Sequence, residues 1–432
     1  MNPYLLIILA TLVGAWLLGL AARTLNVRAL RPEPPAGFED VYDLAEYRRS
    51  QEYARATMRF ENVSETLSVL VMVAFILGGG FNVVDQHLRA LGLTPLVTGL
   101  LFFGVLGLGS ALLSLPLDVW STFVIEERFG FNRTTPATFV ADKLKGWALS
   151  AVLGGALLAA VLWFFGAAGR WAWIWCWGFA AAFMLALVYV APAWILPLFN
   201  KYTPLEDGEL RTAIENYAES QGFVVNGIFA IDGSKRSSKA NAFFTGLGAK
   251  KRIALYDTLI EKMSVDEIVA VLAHEIGHSR LGHVRRGLIV GMLKTGAIFG
   301  LMSLFLNSRP LFDAFRLEQV SIYAGLLFFL LLYSPVSMAL AVAANAVSRR
   351  HERQADAFAA HTTGRPGDLV SALKTLTARN LSNLTPHRLT VVLQYGHPPV
   401  VERVRLLRAM EPEPRPEPRE GAPGASPSDA TA

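Results

Sequence analysis

Cysteine and charge are what this 432-residue chain has least of. A single cysteine, Cys176, excludes an intrachain disulfide and any zinc site of the multi-cysteine kind. It sits in the run Trp-Ile-Trp-Cys-Trp, where it reads as an apolar spacer. Charged residues make up only 17% of the chain against 53% hydrophobic ones, and mean hydropathy is +0.37. That balance is wrong for a soluble globule and right for several membrane spans. The formal charge of +5 is modest, and the basic residues border apolar runs. They read as determinants of membrane topology, so no nucleic-acid partner is expected.

Long apolar runs are what the chain has instead. Seven are sufficient to cross a bilayer, which takes about 20 helical residues. They cover 3–21, 64–84, 96–117, 147–167, 171–197, 287–306 and 323–346. The first lacks a basic stretch ahead of its apolar core, and Arg23, Arg28 and Arg31 follow it. It therefore reads as a signal anchor with the N-terminus outside. The first connection also carries Arg48, Arg49, Arg55 and Arg59, and the third carries Arg128, Arg133, Lys143 and Lys145. The second and fourth carry only Arg89 and Arg170, and the sixth Arg309 and Arg316. The positive-inside rule then places the odd-numbered connections and the C-terminus in the cytoplasm.

The expected organisation is spans one to five with their loops over 1–197, a polar segment over 198–286, spans six and seven over 287–346, and a second polar segment over 347–410. Residues 411–432 form a Pro/Glu-rich tail with nothing apolar to bury, expected to be disordered. Within 198–286 the pattern predicts an amphipathic helix near 207–221, short strands around 222–231 and 242–244, and a helix from Ser264 through His278.

The chemistry is concentrated in Val-Leu-Ala-His274-Glu275-Ile-Gly-His278-Ser-Arg-Leu-Gly-His283. Histidines four apart on a helix share a face, so both imidazoles can reach one cation. Glu275 then lies beside the metal, placed to take a proton from water there. Such a site needs a third protein ligand, and a carboxylate is the natural candidate. His283 is rotated off the shared face, which favours a supporting role. Downstream, Arg-Arg-His-Glu352-Arg-Gln-Ala-Asp356 directly follows the seventh span on the same expected side as the His-Glu-x-x-His helix. Glu352 and Asp356 are one turn apart, so one can bind metal while the other holds a ligand histidine by its free N–H. Taken alone this motif is weak, because the start of an exposed amphipathic helix has the same pattern. Lys294, in the middle of the sixth span, fits either a water-filled interior or pairing at a protein interface.

The chain resembles the CAAX prenyl protease 1 family of membrane zinc metalloproteases. Beyond the zinc motif, the resemblance is carried by Phe-Val-Ile-Glu126-Glu127-Arg-Phe-Gly130-Phe131-Asn132, Lys201-Tyr-Thr-Pro-Leu205, Lys235-Arg-Ser-Ser238 and Asn241-Ala242-Phe243-Phe-Thr-Gly246. It continues through Lys251-Arg-Ile-Ala-Leu-Tyr-Asp-Thr-Leu259 and Tyr395-Gly-His397-Pro-Pro399 with Glu402-Arg403. It implies an all-α membrane protein whose seven transmembrane helices form a barrel around a water-filled chamber. A cytoplasmic zincin-like protease domain with a small β-sheet completes the implied fold. One zinc ion per chain is implied on His274, His278 and Glu352, with Asp356 supporting the ligand histidines. Asn241, Ala242 and Phe243 would lie along the substrate backbone, and His397 and Arg403 would face the active site, where they could share the developing oxyanion charge. Lys239 departs from the family, which often has histidine there.

The implied activity is endopeptidase cleavage near the C-terminus of prenylated CAAX-type or similar peptides, with Glu275 as general base. The partners are a peptide or protein substrate, prenylated or not, and the lipid bilayer; the oligomeric state is open, and a monomer is compatible with the sequence. The expected location is a bacterial inner membrane. Two alternatives stay open at this point. One is a quality-control peptidase for misfolded or stalled membrane proteins. The other is a non-catalytic channel with a structural zinc, against which the presence of Glu275 argues.

Overall fold

The computed structural model describes residues 2–240, 242–245 (main chain) and 252–411. Asn241, expected on the substrate edge, and residues 412–432 of the tail lie outside the described residues. In chain order the helices before the sheet are α1 (Pro3–Arg28), α2 (Leu44–Leu77), α3 (Gly80–Arg89), α4 (Pro95–Trp120), α5 (Pro136–Ala167), α6 (Ala172–Val190) and α7 (Glu209–Ser220). After it come α8 (Asp257–Ile260), α9 (Val265–Arg280), α10 (His283–Phe305), α11 (Arg309–Ala314) and α12 (Ile322–Thr363). The last three are α13 (Pro366–Arg379), α14 (Arg388–Gln394) and α15 (Val400–Arg408). Strands β1 (Tyr202–Pro204), β2 (Ile228–Ile231), β3 (Ala242–Thr245) and β4 (Arg252–Tyr256) form one sheet.

Several membrane helices begin by the same device. Asn2, Thr94 and Thr135 each precede a proline and accept a hydrogen bond from a first-turn N–H. Proline at the first helical position sacrifices no intrahelical bond and presets φ. Seven helical stretches are long and apolar enough to cross a membrane, in agreement with the count from the sequence. They outrun the apolar runs that announced them. The second span starts at Leu44, not near 64, and the seventh continues unbroken through Glu352 and Asp356 to Thr363. Apolar composition marks only the part inside lipid, whereas helix geometry carries on until a cap or a left-handed residue stops it, here Gly364 at φ 66°.

The spans touch in a ring: α4 meets α5, α5 meets α6, α6 meets α10, α10 meets α12, and α12 returns to α1, which meets α2. Helix α3 bridges α2 and α4. The ring is packed at its two ends only. At one end Phe81, Phe102, Phe312, Phe315 and Phe328 form an aromatic plug, with Phe315 stacked on Phe328 at 3.8 Å. At the other, Leu272, Ile276, Ile253, Leu259, Leu369 and Leu407 belong to the core of the sheet-containing domain. Between them α12 buries no residue from Leu330 to His351, about 33 Å of helix at 1.5 Å per residue. Similarly, α2 buries nothing between Met58 and Ile76. A ring packed this way encloses a chamber, not a dry core, which is the barrel expected from the resemblance.

The sheet has the order β1-β2-β4-β3. Strand β2 runs antiparallel to β1 and parallel to β4, and β4 pairs antiparallel with β3. The expected strands near 222–231 and 242–244 are present as β2 and β3, and β1 and β4 join them. Strand β3 is an edge, with Ala242 opposite Leu255 and Phe243 opposite Ala254. The first connection is tied to the sheet-containing domain by Tyr42, whose hydroxyl donates to the Thr377 carbonyl at 2.9 Å, and by a 2.7 Å ion pair between Asp40 and Lys374.

Candidate active site

Helix α9 is started by a capping box: Ser264 Oγ accepts from the Glu267 N–H while Glu267 Oε2 accepts from the Ser264 N–H. The other Glu267 oxygen accepts from Ser371 Oγ at 2.5 Å and so ties the helix start to α13. Farther along, Gly277 lets α9 approach α12 closely. A Cβ there would come within 3.3 Å of Ala355 Cα and 3.1 Å of Phe358. This close crossing brings the histidine face of α9 against the carboxylates of α12.

Three ligand-type atoms converge at the crossing. His274 Nε2 and His278 Nε2 are 3.2 Å apart, and they lie 3.4 and 3.3 Å from the two carboxylate oxygens of Glu352. A tetrahedral zinc with ligands at about 2.0–2.1 Å has ligand–ligand edges of about 3.3 Å. Both imidazoles are also held with the correct nitrogen inward. His274 Nδ1 sits 2.8 Å from Asp356 Oδ1, so it carries the proton and leaves Nε2 as a lone pair. His278 Nδ1 lies 3.1 Å from His283 Nδ1, and His283 Nε2 lies 3.1 Å from Gln354 Oε1. Gln354 accepts from His283 Nε2, so His283 Nδ1 accepts from His278 Nδ1, and His278 Nε2 is left unprotonated. Glu352 Oε2 makes no well-directed hydrogen bond, although His397 Nδ1 lies 2.7 Å away. These residues fit a metal of the zinc type.

The surroundings are arranged around that trio. Arg403 is 8% exposed and forks onto Asp356 through Nε at 2.8 Å and Nη2 at 2.6 Å. Its guanidinium therefore stands behind the histidine face, with Nη1 3.9 Å from Glu352 Oε2 and Nη2 3.4 Å from His274 Nδ1. Burial opposes its charge, but the Asp356 carboxylate more than offsets this and holds Arg403 above its usual pKa. For His274, burial likewise works against protonation, while hydrogen bonds to Asp356 and Glu352 outweigh it and raise the metal-free ring to about 9. Glu275 is half-buried and makes no direct hydrogen bond or ion pair among the described residues. The His397 side chain is 70% exposed with one nitrogen on Glu352.

Among the described residues strand β3 is the edge of the sheet, and its register fixes which main-chain groups point outward. Ile253 N donates to the Gly227 carbonyl, so Ile253 and Leu255 turn toward β2, and Arg252 and Ala254 turn toward β3. Their partners Thr245 and Phe243 point inward, which leaves Ala242 and Phe244 facing the open edge. Lys239, just ahead of the strand, is held by Glu126 at 2.9 Å and Tyr53 at 2.7 Å, over the Phe131 ring.

Sequence reasoning missed Gln354. It stands two residues past Glu352, but its role depends on the left-handed turn at Gly282 (φ 71°), which folds His283 back toward His278. No spacing rule reports such a turn.

Fold and site together define a multi-pass membrane metallopeptidase. Residues 23–201 match the family described as CAAX prenyl protease N-terminal, five membrane helices, and residues 204–411 match peptidase family M48. The chain is 36% identical to "CAAX prenyl protease 1 homolog" of Arabidopsis thaliana, covering 87% of this chain and 90% of the relative. It is 34% identical to "CAAX prenyl protease 1" of Saccharomyces cerevisiae, with 86% and 88% covered. The crystal structure of S. mikatae Ste24p superimposes with a TM-score of 0.90 at 33% identity, over 94% of this chain and 99% of that one. The chain belongs to the CAAX prenyl protease 1 family.

Proposed function

We propose that this chain is a zinc endopeptidase that cuts near the C-terminus of prenylated CAAX-type peptides. The observation that carries the reading is the convergence of His274, His278 and Glu352 within bonding range of one ion, with Glu275, the next residue after His274, making no hydrogen bond or ion pair among the described residues. Zinc held there would supply Lewis acidity and bring the pKa of water toward about 7. Glu275 takes a proton from the attacking water as its oxygen bonds to the scissile carbonyl carbon. It then delivers that proton to the amine as the C–N bond breaks. His397, exposed and with Nδ1 close to Glu352, offers its other nitrogen to the developing oxyanion. Arg403 acts through Asp356, keeping His274 oriented, and so is a positioning residue in this reading.

An extended substrate pairs with the outward groups of Ala242 and Phe244 on β3. The prenyl preference is drawn from the names of the relatives. The arginine-rich connections favour the cytoplasmic side for this domain, with the N-terminus outside. Contacts from the first and third connections to the sheet-containing domain support a shared side, among them Asp40 to Lys374 and Arg133 N to the Arg236 carbonyl.

The test is direct. Glu275→Gln should retain zinc by elemental analysis yet lose about 100-fold or more in kcat. Cleavage at the wild-type rate would refute the mechanism. Farnesylated and unmodified versions of one peptide then compare substrates, and equal kcat/KM for the two would remove the prenyl preference while leaving the peptidase reading intact.

A further inference from the structure

The outward-facing run of β3 has a visible end. Just ahead of the strand, the Lys239 carbonyl is turned inward, accepting from Thr258 Oγ1 at 2.9 Å. The main-chain groups of successive extended residues alternate sides, so those of Ala240, next after Lys239, turn outward, the side that Ala242 and Phe244 also face. Its two groups are taken. Asn380 Oδ1 accepts from Ala240 N at 3.1 Å, and Asn380 Nδ2 donates to the Ala240 carbonyl at 3.2 Å. A carboxamide carries one acceptor and a donor spaced as in a peptide group, so this side chain stands where a neighbouring strand would otherwise pair.

Asn380 is held firmly in that position. Its backbone N–H donates to the Leu376 carbonyl at the end of α13. The next residue, Leu381, has a left-handed φ of 48° and is 8% exposed, packed with Ile125, Phe129 and Phe131. Ala240 is 5% exposed, so water does not compete for the pair. On the chain before it, Lys239 is pinned by Glu126.

Resting on the reading that substrate adds to β3, we infer that Asn380 is the end stop of the substrate edge and thereby selects which peptide bond is cut. A peptide strand can bond at Phe244 and Ala242, then meets the carboxamide at Ala240 and must end or turn away. The number of residues between the stop and the metal site is thus set by the protein. The ligand class is an extended peptide with a chain end, or a turn, at that position.

The experiment uses the full-length, detergent-purified enzyme and maps products by mass spectrometry on peptides lengthened one residue at a time at either terminus. In the wild type, lengthening at one terminus should lower kcat/KM while the cut stays at one bond. Asn380→Ala, allowed by an ordinary φ of −94°, should raise the proportion of cuts at neighbouring bonds by about tenfold, the effect of releasing two hydrogen-bonding groups. Asn380→Asp, which keeps the acceptor but not the donor, should fall between. Metal content checks that each variant is folded. An unchanged product pattern in both variants, or wild-type tolerance of extension at both termini, overturns the end stop. A scan of N-methylated substrate amides separates this from the parent reading. If some position loses kcat/KM while the Asn380 variants cut as wild type, the end stop alone falls. If no position matters, strand addition fails and the end stop with it.

Discussion

At the scale of single residues, the site is organised as pairs: each histidine facing the metal position has a partner that fixes its tautomer. Asp356 does this for His274, and His283 with Gln354 for His278. Gln354→Leu keeps a good helix former at that position but removes the acceptor. We expect zinc affinity to fall about 10–100-fold, read by chelator competition. Unchanged affinity would show that the relay has no grip on His278. The two histidines were legible in the sequence because a period of four needs only a helix to become a face. Glu352 was one of two adjacent carboxylates until the crossing of α9 and α12 put its oxygens, and not those of Asp356, opposite both Nε2 atoms. Arg403 was legible as a motif residue, whereas its carboxylate partner, Asp356, depended on which acidic group packs nearest.

At the scale of elements, the decisive event is the close crossing of α9 and α12. Gly277→Ala would force its new methyl against Ala355 and Phe358. The helices would have to part by a few tenths of an ångström, and we expect a loss of about 1–3 kcal/mol in thermal unfolding, accompanied by weaker metal retention. A variant as stable as wild type and fully loaded with zinc would mean that the crossing has slack. Helices were the most legible elements, through apolar runs and caps such as Ser264 with Glu267. Two strands were not. β1 is three residues long, and β4 is a short, almost wholly buried run with none of the alternation that marks a half-exposed strand.

At the scale of the whole molecule, the two packed ends answer for different things. The aromatic plug is remote from the metal site, so Phe315→Ala should cost about 3–5 kcal/mol in unfolding while zinc content stays full. Loss of zinc along with stability would show that the two ends fold as one unit. At the other end, Lys374 is 4% exposed and relies on Asp40, whose carboxylate is mostly solvated. Burial tends to raise the Asp40 pKa, but the Lys374 hydrogen bond and charge outweigh that and hold it below 3.8. A depressed folded value stabilises above the unfolded pKa, and this contribution disappears as pH falls through the lowered value. Asp40→Asn should therefore destabilise at neutral pH by about 1 kcal/mol, the low end expected for a pair screened by water. The difference from wild type should shrink below about pH 4. A constant difference across that range would assign the effect to packing instead of charge.

The unbroken course of α12 makes the barrel and the site mechanically continuous. One helix of 42 residues begins in the plug, passes Pro335, runs the length of the chamber and delivers Glu352 and Asp356 to the two histidines of α9. At that end it is held a second time, by the Gly277 crossing and by Ala359 and Ala360 in the core of the sheet-containing domain. A helix clamped at both ends transmits a push on either, so a tilt of the seventh span would register first as a change in the gap between carboxylates and imidazoles.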